Sequence, residues 1–381
     1  MTMQIYLNNA GAGLMANETY EAVASYLHLE RELGAYCVAT QKKVLLETFY
    51  TNAAQIINAS SPTEIAFMDS ASRGWNMVIY GSQLHAGDKI VTLSSEFGTN
   101  LIILFDYAKQ INATVRVVQC NEQGEFSIDE IEDELRNGAK LVAISHTAAQ
   151  GSIVNPVEEI GRLAKKYGAI YVVDGCQAVG QFSVDVQKIQ CDAYVTTGRK
   201  WLCGPRGTGF LYIKDFSLFR TPQLDLASAY LVFDDDFNVK GVNVRKDARQ
   251  FELWERSYAN MLGLATALDI CLKQGIDNIS ARIQVLANKL RLSAQTNPNF
   301  HLLGKPVSIS GVLGFYLKDY SKEEELKNVF IRHNIGISMM SDWDCPLYFP
   351  KNGATQIFRL SPHYYSDFSS IEKVCKIIEE F

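Results

Sequence analysis

Two spacings of apolar residues dominate the first half of the chain. Apolar positions three and four residues apart predict helices over residues 18–29, 42–57, 100–110, 128–136 and 156–167. Short apolar runs predict strands over residues 65–68, 89–93, 113–118, 141–145 and 169–174. Strands that alternate with helices indicate crossover units, so we predict an α/β fold with a mostly parallel sheet covered on both faces.

The pattern changes near residue 256. Long helices are predicted over residues 258–274 and 276–295, and strands and helices then alternate over residues 311–318, 322–331, 355–361 and 369–380. We therefore predict a large α/β domain of residues 16–255. A smaller α+β domain would comprise residues 256–381 together with residues 1–15.

Composition narrows the class of protein. The chain is 47% hydrophobic and 20% charged, as in ordinary globular proteins. Its net charge of −6 and the lack of a basic cluster give no support for binding nucleic acid or an anionic membrane. No apolar run is long enough to cross a bilayer, and the N-terminus lacks the features of a signal peptide. The eight cysteines show no metal-binding or disulfide spacing, so we expect a cytoplasmic enzyme with reduced thiols and no metal.

Polar residues that can carry chemistry follow the predicted strands. Asp174 ends one apolar run, and Lys200 follows the next in a stretch rich in Gly and Pro. In parallel sheets, ligands bind outside the carboxyl ends of the strands. Burial lowers the pKa of a lysine, whose neutral amine can form a Schiff base with a carbonyl cofactor. An acid and a lysine at neighbouring strand ends fit a pyridinium partner and a Schiff-base lysine.

Several segments of the chain together resemble class V (cysteine desulfurase-like) aminotransferase-fold enzymes, which depend on pyridoxal 5'-phosphate. The matching segments are residues 6–11, 69–76, 146–156, 173–177, 197–209 and 358–365. The resemblance implies the fold of the PLP-dependent transferases (fold type I). The run Gly198-Arg199-Lys200-Trp201 and residues 251–256 look most like a subgroup that contains carbon–sulfur lyases, such as hercynylcysteine sulfoxide lyases.

The resemblance also implies roles for residues of the cofactor site. Lys200 would hold the cofactor and then remove the Cα proton of the substrate. Asp174 would keep the pyridine nitrogen protonated, and Gln177 would donate to the phenolic oxygen of the cofactor. The alternative without a cofactor is that Lys200 is a surface lysine and that Asp174 caps a helix.

Other residues would surround the phosphate and the ring. Ala71 and Ser72 open a predicted helix whose amides suit a phosphate, although capping explains the same sequence. Thr197 and Arg199 fall beside the phosphate in the resemblance, and Arg199 could instead form a structural salt bridge. Two further cofactor contacts are expected at Phe97, which would stack on the ring or belong to the core, and at Gln150.

Substrate binding and sulfur chemistry depend on three residues near the chain ends. Arg359 resembles the arginine that binds the substrate carboxylate, and Asn8 is expected to line the same pocket. Cys345 lies where desulfurases of the family carry a sulfur-accepting cysteine. The neighbouring Asp342 and Asp344 should raise the pKa of its thiol, which disfavours that role.

These observations predict a PLP-dependent lyase that cleaves the C–S bond of a cysteine-derived amino acid by Cα deprotonation and β-elimination. An aminotransferase, an epimerase, a desulfurase that forms a persulfide on Cys345 for a sulfur-acceptor protein, and a non-catalytic cofactor-binding protein stay open. The resemblance further implies a homodimer in which residues 251–257 reach the phosphate of the other subunit.

Overall fold

The computed structural model describes residues 5–121, 123–349 and 355–381. Its strands are β1 (Ile5–Tyr6), β2 (Ile65–Met68), β3 (Lys89–Leu93), β4 (Thr114–Val118), β5 (Leu141–Ser145), β6 (Ile170–Asp174), β7 (Ala193–Thr197), β8 (Gly209–Ile213), β9 (Ala229–Phe233), β10 (Val239–Val244), β11 (Phe300–Leu303), β12 (Leu313–Leu317), β13 (Ile335–Gly336), β14 (Ser338–Met340) and β15 (Ile357–Leu360).

The helices alternate with these strands through most of the chain. They are α1 (Asn17–Leu33), α2 (Ala35–Gln41), α3 (Lys43–Ile56), α4 (Ala71–Gly81), α5 (Gly98–Ile111), α6 (Ile128–Arg136), α7 (Val157–Tyr167), α8 (Val186–Ile189), α9 (Tyr258–Gln274), α10 (Ile276–Thr296), α11 (Glu323–Arg332) and α12 (Phe368–Glu380). Within the described residues, no helix combines the length and the apolar character that a membrane span requires.

A seven-stranded sheet forms the centre of the fold, in the order β2-β8-β7-β6-β5-β3-β4. All of its strands run parallel except β8, which pairs antiparallel with both β2 and β7. The predicted mostly parallel sheet is therefore confirmed. The sequence pattern does not predict β8, which follows the Gly- and Pro-rich turn after Lys200.

Alternation along the buried strands explains why helices cover both faces. On β6, Tyr171 and Val173 pack into the core beneath α3, α7 and α9, whereas Val172 packs into the core beneath α4 and α5. Successive side chains of a strand point to opposite faces, so an all-apolar strand requires cover on both. This arrangement directs the ends of β5, β6 and β7 toward the N-termini of α4 and α5.

A second, antiparallel sheet of order β11-β12-β15-β14 packs with α10, α11 and α12 in a separate apolar cluster. The chain start joins this cluster, because β1 pairs with β13 and Asn8 bridges to Ser361. Helix α9 instead packs on α1 and α3, beside the central sheet. The domain boundaries near residues 16 and 256 stay predictions.

Candidate active site

A cavity of about 380 Å³ lies at the carboxyl ends of β5, β6 and β7. It is lined by Asp69, Ser70, Ala71, Ser72, Phe97, Asn100, Ser145, Thr147, Ala149, Asp174, Cys176, Gln177, Thr197, Arg199, Lys200, Arg206 and Gly207. Of the residues expected at the cofactor, all except Gln150 line this cavity. The strand register brings them together, because Asp174 lies opposite Ser145 on β5 and Val195 on β7.

Lys200 extends from the turn after β7. Among the described residues, its Nζ has no hydrogen-bond or ion-pair partner. Burial lowers the pKa of Lys200, and the positive charges of Arg199 and Arg359 act in the same direction, whereas Cys176 and Asp174 raise it. Burial therefore favours the neutral amine, which is the form that attacks an aldehyde.

The backbone around Lys200 is held by the N-terminal segment of the chain. Gly13 donates its N–H to the Arg199 carbonyl oxygen over 2.7 Å. A Cβ at position 13 would lie 2.4 Å from the Lys200 carbonyl oxygen, so only glycine allows this close crossing. The segment thereby fixes the turn that carries the amine.

Trp201 anchors the other side of the same turn. Its indole Nε1 donates to Gln177 Oε1 over 2.8 Å. The Trp201 carbonyl oxygen lies 3.0 Å from Nε2 of the buried His363, whose Nδ1 accepts the Tyr364 N–H. These partners place the His363 proton on Nε2, so this histidine is a structural donor.

Part of the hydrogen-bonding capacity of Gln177 is used by contacts within the protein. Besides accepting from Trp201, it donates one Nε2 hydrogen to the Ala10 carbonyl oxygen over 3.0 Å. The amide nitrogen carries a second hydrogen that can reach a group in the cavity.

Asp174 is positioned by two donors. Its Oδ1 accepts the Cys176 N–H, and its Oδ2 accepts from Asn100 Nδ2, each over 2.8 Å. Donors of this kind stabilise the ionised carboxylate. Asn100 and Ser145, both in the cavity wall, were missed by sequence analysis because neither belongs to a recognisable motif.

The opposite end of the cavity is positively charged. Helix α4 begins at Ala71, after Ser70, whose Oγ accepts the Arg73 N–H over 3.2 Å. The first amides of a helix lack intrahelical partners and attract anions. Arg199 and Arg206 line the same end of the cavity, although Arg199 also donates to the Gly11 carbonyl oxygen. Sequence analysis missed Arg206.

Pyridoxal phosphate needs a cradle for its phosphate, a partner for its ring nitrogen and an amine for its aldehyde. One cavity supplies all three: the α4 N-terminus with Arg199 and Arg206 for the phosphate, Asp174 for the ring nitrogen, and the Lys200 amine for the aldehyde. The wall also contains Thr147, whose buried Oγ1 has no hydrogen-bond partner among the described residues. The residues therefore fit this cofactor.

Four of the expected site residues do not line the cavity, namely Gln150, Asn8, Arg359 and Cys345. Gln150 is buried behind the wall and donates Nε2 to the Ser95 carbonyl oxygen over 3.1 Å, whereas its neighbour Ala149 lies in the wall. Asn8 pairs with Ser361, and its amide packs over Gly11. His146 is also buried, with Nδ1 2.9 Å from the Tyr194 hydroxyl, and burial lowers its pKa to about 4.

Arg359 lies directly behind Ala149. Its Nη1 donates to the Ala149 carbonyl oxygen over 3.0 Å, and its Nε donates to Ser338 Oγ over 2.9 Å. The residue is only 8% exposed. Within the described ranges no carboxylate lies at ion-pair distance, and the negative charge of Asp344 acts on the guanidinium from farther away. Burial lowers its pKa to about 10. Burial of a guanidinium without an anionic partner costs free energy. A carboxylate of a ligand that pairs with Arg359 would therefore bind favourably.

Cys345 occupies the next layer behind the cavity. Its side chain is fully buried in an apolar cluster with Ala149 and Phe97, and Sγ lies 3.8 Å from the Ser341 carbonyl oxygen. Burial raises the thiol pKa to about 12, with smaller contributions from Asp344 and Asp342. The expected effect of the acids is therefore present, but burial is the larger cause.

Known proteins that are similar to this chain identify its family. The family model for class-V aminotransferases matches residues 5–374. A probable cysteine desulfurase of Synechocystis sp. is 31% identical, over 72% of this chain and 66% of that protein. One of Methanothermobacter thermautotrophicus is 28% identical, over 91% of this chain and 86% of that protein.

Solved structures share the fold at lower identity. A cysteine desulfurase from Thermococcus onnurineus NA1 is 24% identical with a TM-score of 0.87, covering 99% of this chain and 94% of that one. The cystine C–S lyase C-DES, in complex with cysteine persulfide, is 21% identical with a TM-score of 0.85, covering 99% and 97%.

Proposed function

Because the chain belongs to the class-V aminotransferase family, whose members use pyridoxal phosphate, we propose that it is a lyase that cleaves the C–S bond of a cysteine-derived amino acid. The observation that carries the proposal is a contrast between three residues. Within the described residues, Lys200 and Arg359 have no carboxylate at ion-pair distance, whereas the Cys345 thiol is packed in an apolar cluster. Of the three residues, only Lys200 lines the cavity, and Arg359 lies directly behind Ala149 of its wall. The first two suit an amino-acid substrate, and the third is poorly suited to attack sulfur.

Arg359 would bind the substrate carboxylate and thereby set the direction of the Cα–H bond. A planar guanidinium binds a carboxylate through two parallel hydrogen bonds. Two of its nitrogens already contact Ala149 and Ser338, which fixes the plane of the group. Orientation of this kind precedes proton transfer and does not depend on the leaving group.

Lys200 would act as the base. When bound, pyridoxal phosphate supplies an electron sink for negative charge at Cα, and Asp174 keeps the ring nitrogen protonated. The neutral Lys200 amine accepts the Cα proton. The Cβ–S bond then breaks with its electron pair on sulfur, and the released enamine is hydrolysed to pyruvate and ammonia.

A cysteine desulfurase is the second candidate, and the named relatives favour it. In that reaction Cys345 would attack the substrate sulfur, alanine would be released, and the persulfide would pass to a sulfur-acceptor protein. The 341–349 segment would have to move, which would break the 2.8 Å hydrogen bond from Gly98 N–H to the Asp344 carbonyl oxygen. Transamination and epimerisation share Cα deprotonation and differ only in product.

Product analysis of a Cys345→Ser variant separates these reactions. With cysteine and cystine as substrates, we expect pyruvate and ammonia in equal amounts. We expect the rate of Cys345→Ser to stay within roughly threefold of the wild type, because the thiol does not line the cavity. Cys375→Ser, at another buried cysteine on α12, controls for the cost of a buried hydroxyl. Alanine as the product, with sulfur transfer abolished only in Cys345→Ser, would establish the desulfurase instead.

We also propose that the enzyme is a homodimer. The β9–β10 hairpin exposes apolar side chains, including Leu231, Phe233 and Phe237. Trp254, which follows this hairpin along the chain, is 48% exposed. Apolar surface of this kind commonly marks a protein interface. The buried Glu252 fixes the adjacent segment by accepting from the Tyr50 hydroxyl and the Phe67 N–H, each over 2.7 Å. Residues 251–257 would then reach the phosphate of the other subunit.

Sedimentation of the purified protein tests the dimer. We expect a particle of about twice the 42.6 kDa chain mass, and a Phe237→Asp variant should shift the equilibrium toward monomer because it places a charge in the apolar surface. A wild type that sediments as a monomer at micromolar concentration would refute the assignment.

A further inference from the structure

A buried hydrogen-bond network connects Asp174 to a second carboxylate behind the cavity. Asn100, at the start of α5, donates Nδ2 to Asp174 Oδ2 over 2.8 Å and to Glu96 Oε1 over 2.9 Å. A primary amide has two N–H donors, and here each is used by a different carboxylate. A flipped amide would turn its oxygen toward both acceptors, so the two carboxylates define its orientation.

Glu96 is itself held by donors from Ser145 on β5 and from its neighbour Phe97. Its Oε2 accepts the Ser145 N–H over 2.6 Å, and its Oε1 accepts the Phe97 N–H over 2.9 Å and the Ser145 hydroxyl. The residue is only 1% exposed. Because several donors fix this carboxylate, it can in turn fix the rotamer of Asn100.

Glu96 is buried where a negative charge is unfavourable. A carboxylate kept there for packing alone would therefore lower the stability of the fold. The pKa of Glu96 is raised to about 7, first by burial and then by the negative charge of Asp174, while hydrogen bonds from Ser145, Phe97 and Asn100 oppose the rise. An isosteric neutral side chain would avoid that cost. Asn100 lines the cavity, but Glu96 does not, so Glu96 can influence the cofactor only through other groups.

We propose that Glu96 and Asn100 are positioning residues for the ring nitrogen of the cofactor. Glu96 orients the Asn100 amide, and Asn100 holds Asp174 Oδ2 so that the carboxylate faces the ring nitrogen as an anion. The inference rests on the role of Asp174 in the proposed function. It does not depend on which bond of the substrate breaks.

The physical effect concerns the proton between Asp174 and the ring nitrogen. A hydrogen bond donated to a carboxylate stabilises its ionised form. Loss of the Asn100 donor makes the carboxylate more basic, so the shared proton moves from the ring nitrogen toward Asp174. The ring then becomes a weaker acceptor of electrons.

The test uses protein loaded with pyridoxal phosphate that carries ¹⁵N in the ring. In the wild type, we expect the ¹⁵N chemical shift of a protonated pyridine. In Asn100→Ala the signal should move toward the neutral value, and the cofactor should bind roughly tenfold or more weakly because a hydrogen bond to a charged group is lost. Asn100→Leu removes the same donor and carries the test if Asn100→Ala does not fold. Glu96→Gln should weaken cofactor binding because Asn100 is held less firmly, while the loss of a negative charge beside Asp174 opposes the change in the ¹⁵N signal.

Asn155→Ala is the matched control. Asn155 is a buried asparagine that donates to the Ser145 carbonyl oxygen over 2.7 Å and does not contact Asp174. We expect this variant to melt at a lower temperature with an unchanged ¹⁵N signal. A wild-type signal in both Asn100→Ala and Asn100→Leu, or wild-type cofactor affinity in Glu96→Gln, would overturn the proposal. Absence of pyruvate formation by the wild type would refute the lyase assignment and leave the ring-nitrogen result standing.

Discussion

Replacement of Lys200 with alanine should abolish covalent capture of the cofactor and lower turnover by roughly 10⁴-fold or more, because both a nucleophile and a general base are lost. Among the described residues that line the cavity, Lys200 carries the only amine that can form a Schiff base with an aldehyde. Burial lowers its pKa, which raises the fraction of neutral amine at pH 7. Noncovalent binding of pyridoxal phosphate should persist, since the α4 N-terminus, Arg199 and Asp174 are unchanged.

Borohydride reduction measures this effect directly. Reduction of the wild-type holoenzyme should leave the cofactor attached to the peptide that spans residue 200, and mass spectrometry of Lys200→Ala should find no such adduct. Lys214→Ala, at an exposed lysine just after β8, is the control and should behave as the wild type. An adduct at another lysine in the wild-type protein would contradict the assignment.

Replacement of Arg359 with methionine is expected to lower kcat/KM for an amino-acid substrate by roughly 10²–10⁴-fold, since two hydrogen bonds to a charged carboxylate are lost. The guanidinium is buried, and no carboxylate of the described chain lies at ion-pair distance. Arg359→Lys should recover only part of the activity, because an ammonium cannot form the paired planar contact.

The value of kcat/KM should be measured for both cysteine and cysteamine, which lacks the carboxylate. The ratio of the two values reports on recognition of the carboxylate. The wild type should strongly prefer cysteine, and Arg359→Met should lose most of that preference. Arg291→Met controls for loss of a buried arginine, because Arg291 donates to the Ser310 and Val312 carbonyl oxygens. It should lower the melting temperature but keep the preference. Undiminished preference in Arg359→Met would remove Arg359 from substrate binding.

Much of the central sheet was predictable because its signals are local. The apolar runs that became β3 and β5 have the predicted bounds, and the helix over 258–274 matches α9. Strand ends also indicated where Asp174 and Lys200 would meet. Strand β8 and the β9–β10 hairpin were missed. The first follows an irregular turn, and the apolar side chains of the second are exposed rather than buried.

The residues of the candidate site also divide into those that have a local sequence signal and those that have none. Its motif residues Asp174 and Lys200 were identified from sequence, whereas Asn100 and Arg206 were not. Asn100 is an isolated polar residue in an apolar helix, and Arg206 lies in an irregular turn, so neither has a local signal. The choice between Ala149 and Gln150 also depends on the path of an irregular loop, which periodicity does not specify.

The sequence by itself determined the alternation of strands and helices, the residues at the strand ends and the family to which the chain is similar. These features depend on neighbours within a few residues along the chain. Only the tertiary structure decided that Arg359 would lie behind Ala149, 210 residues away, and that Cys345 would be buried in the next layer. Burial and partner distance arise from contacts between distant segments, and those contacts set the charge and accessibility of each group.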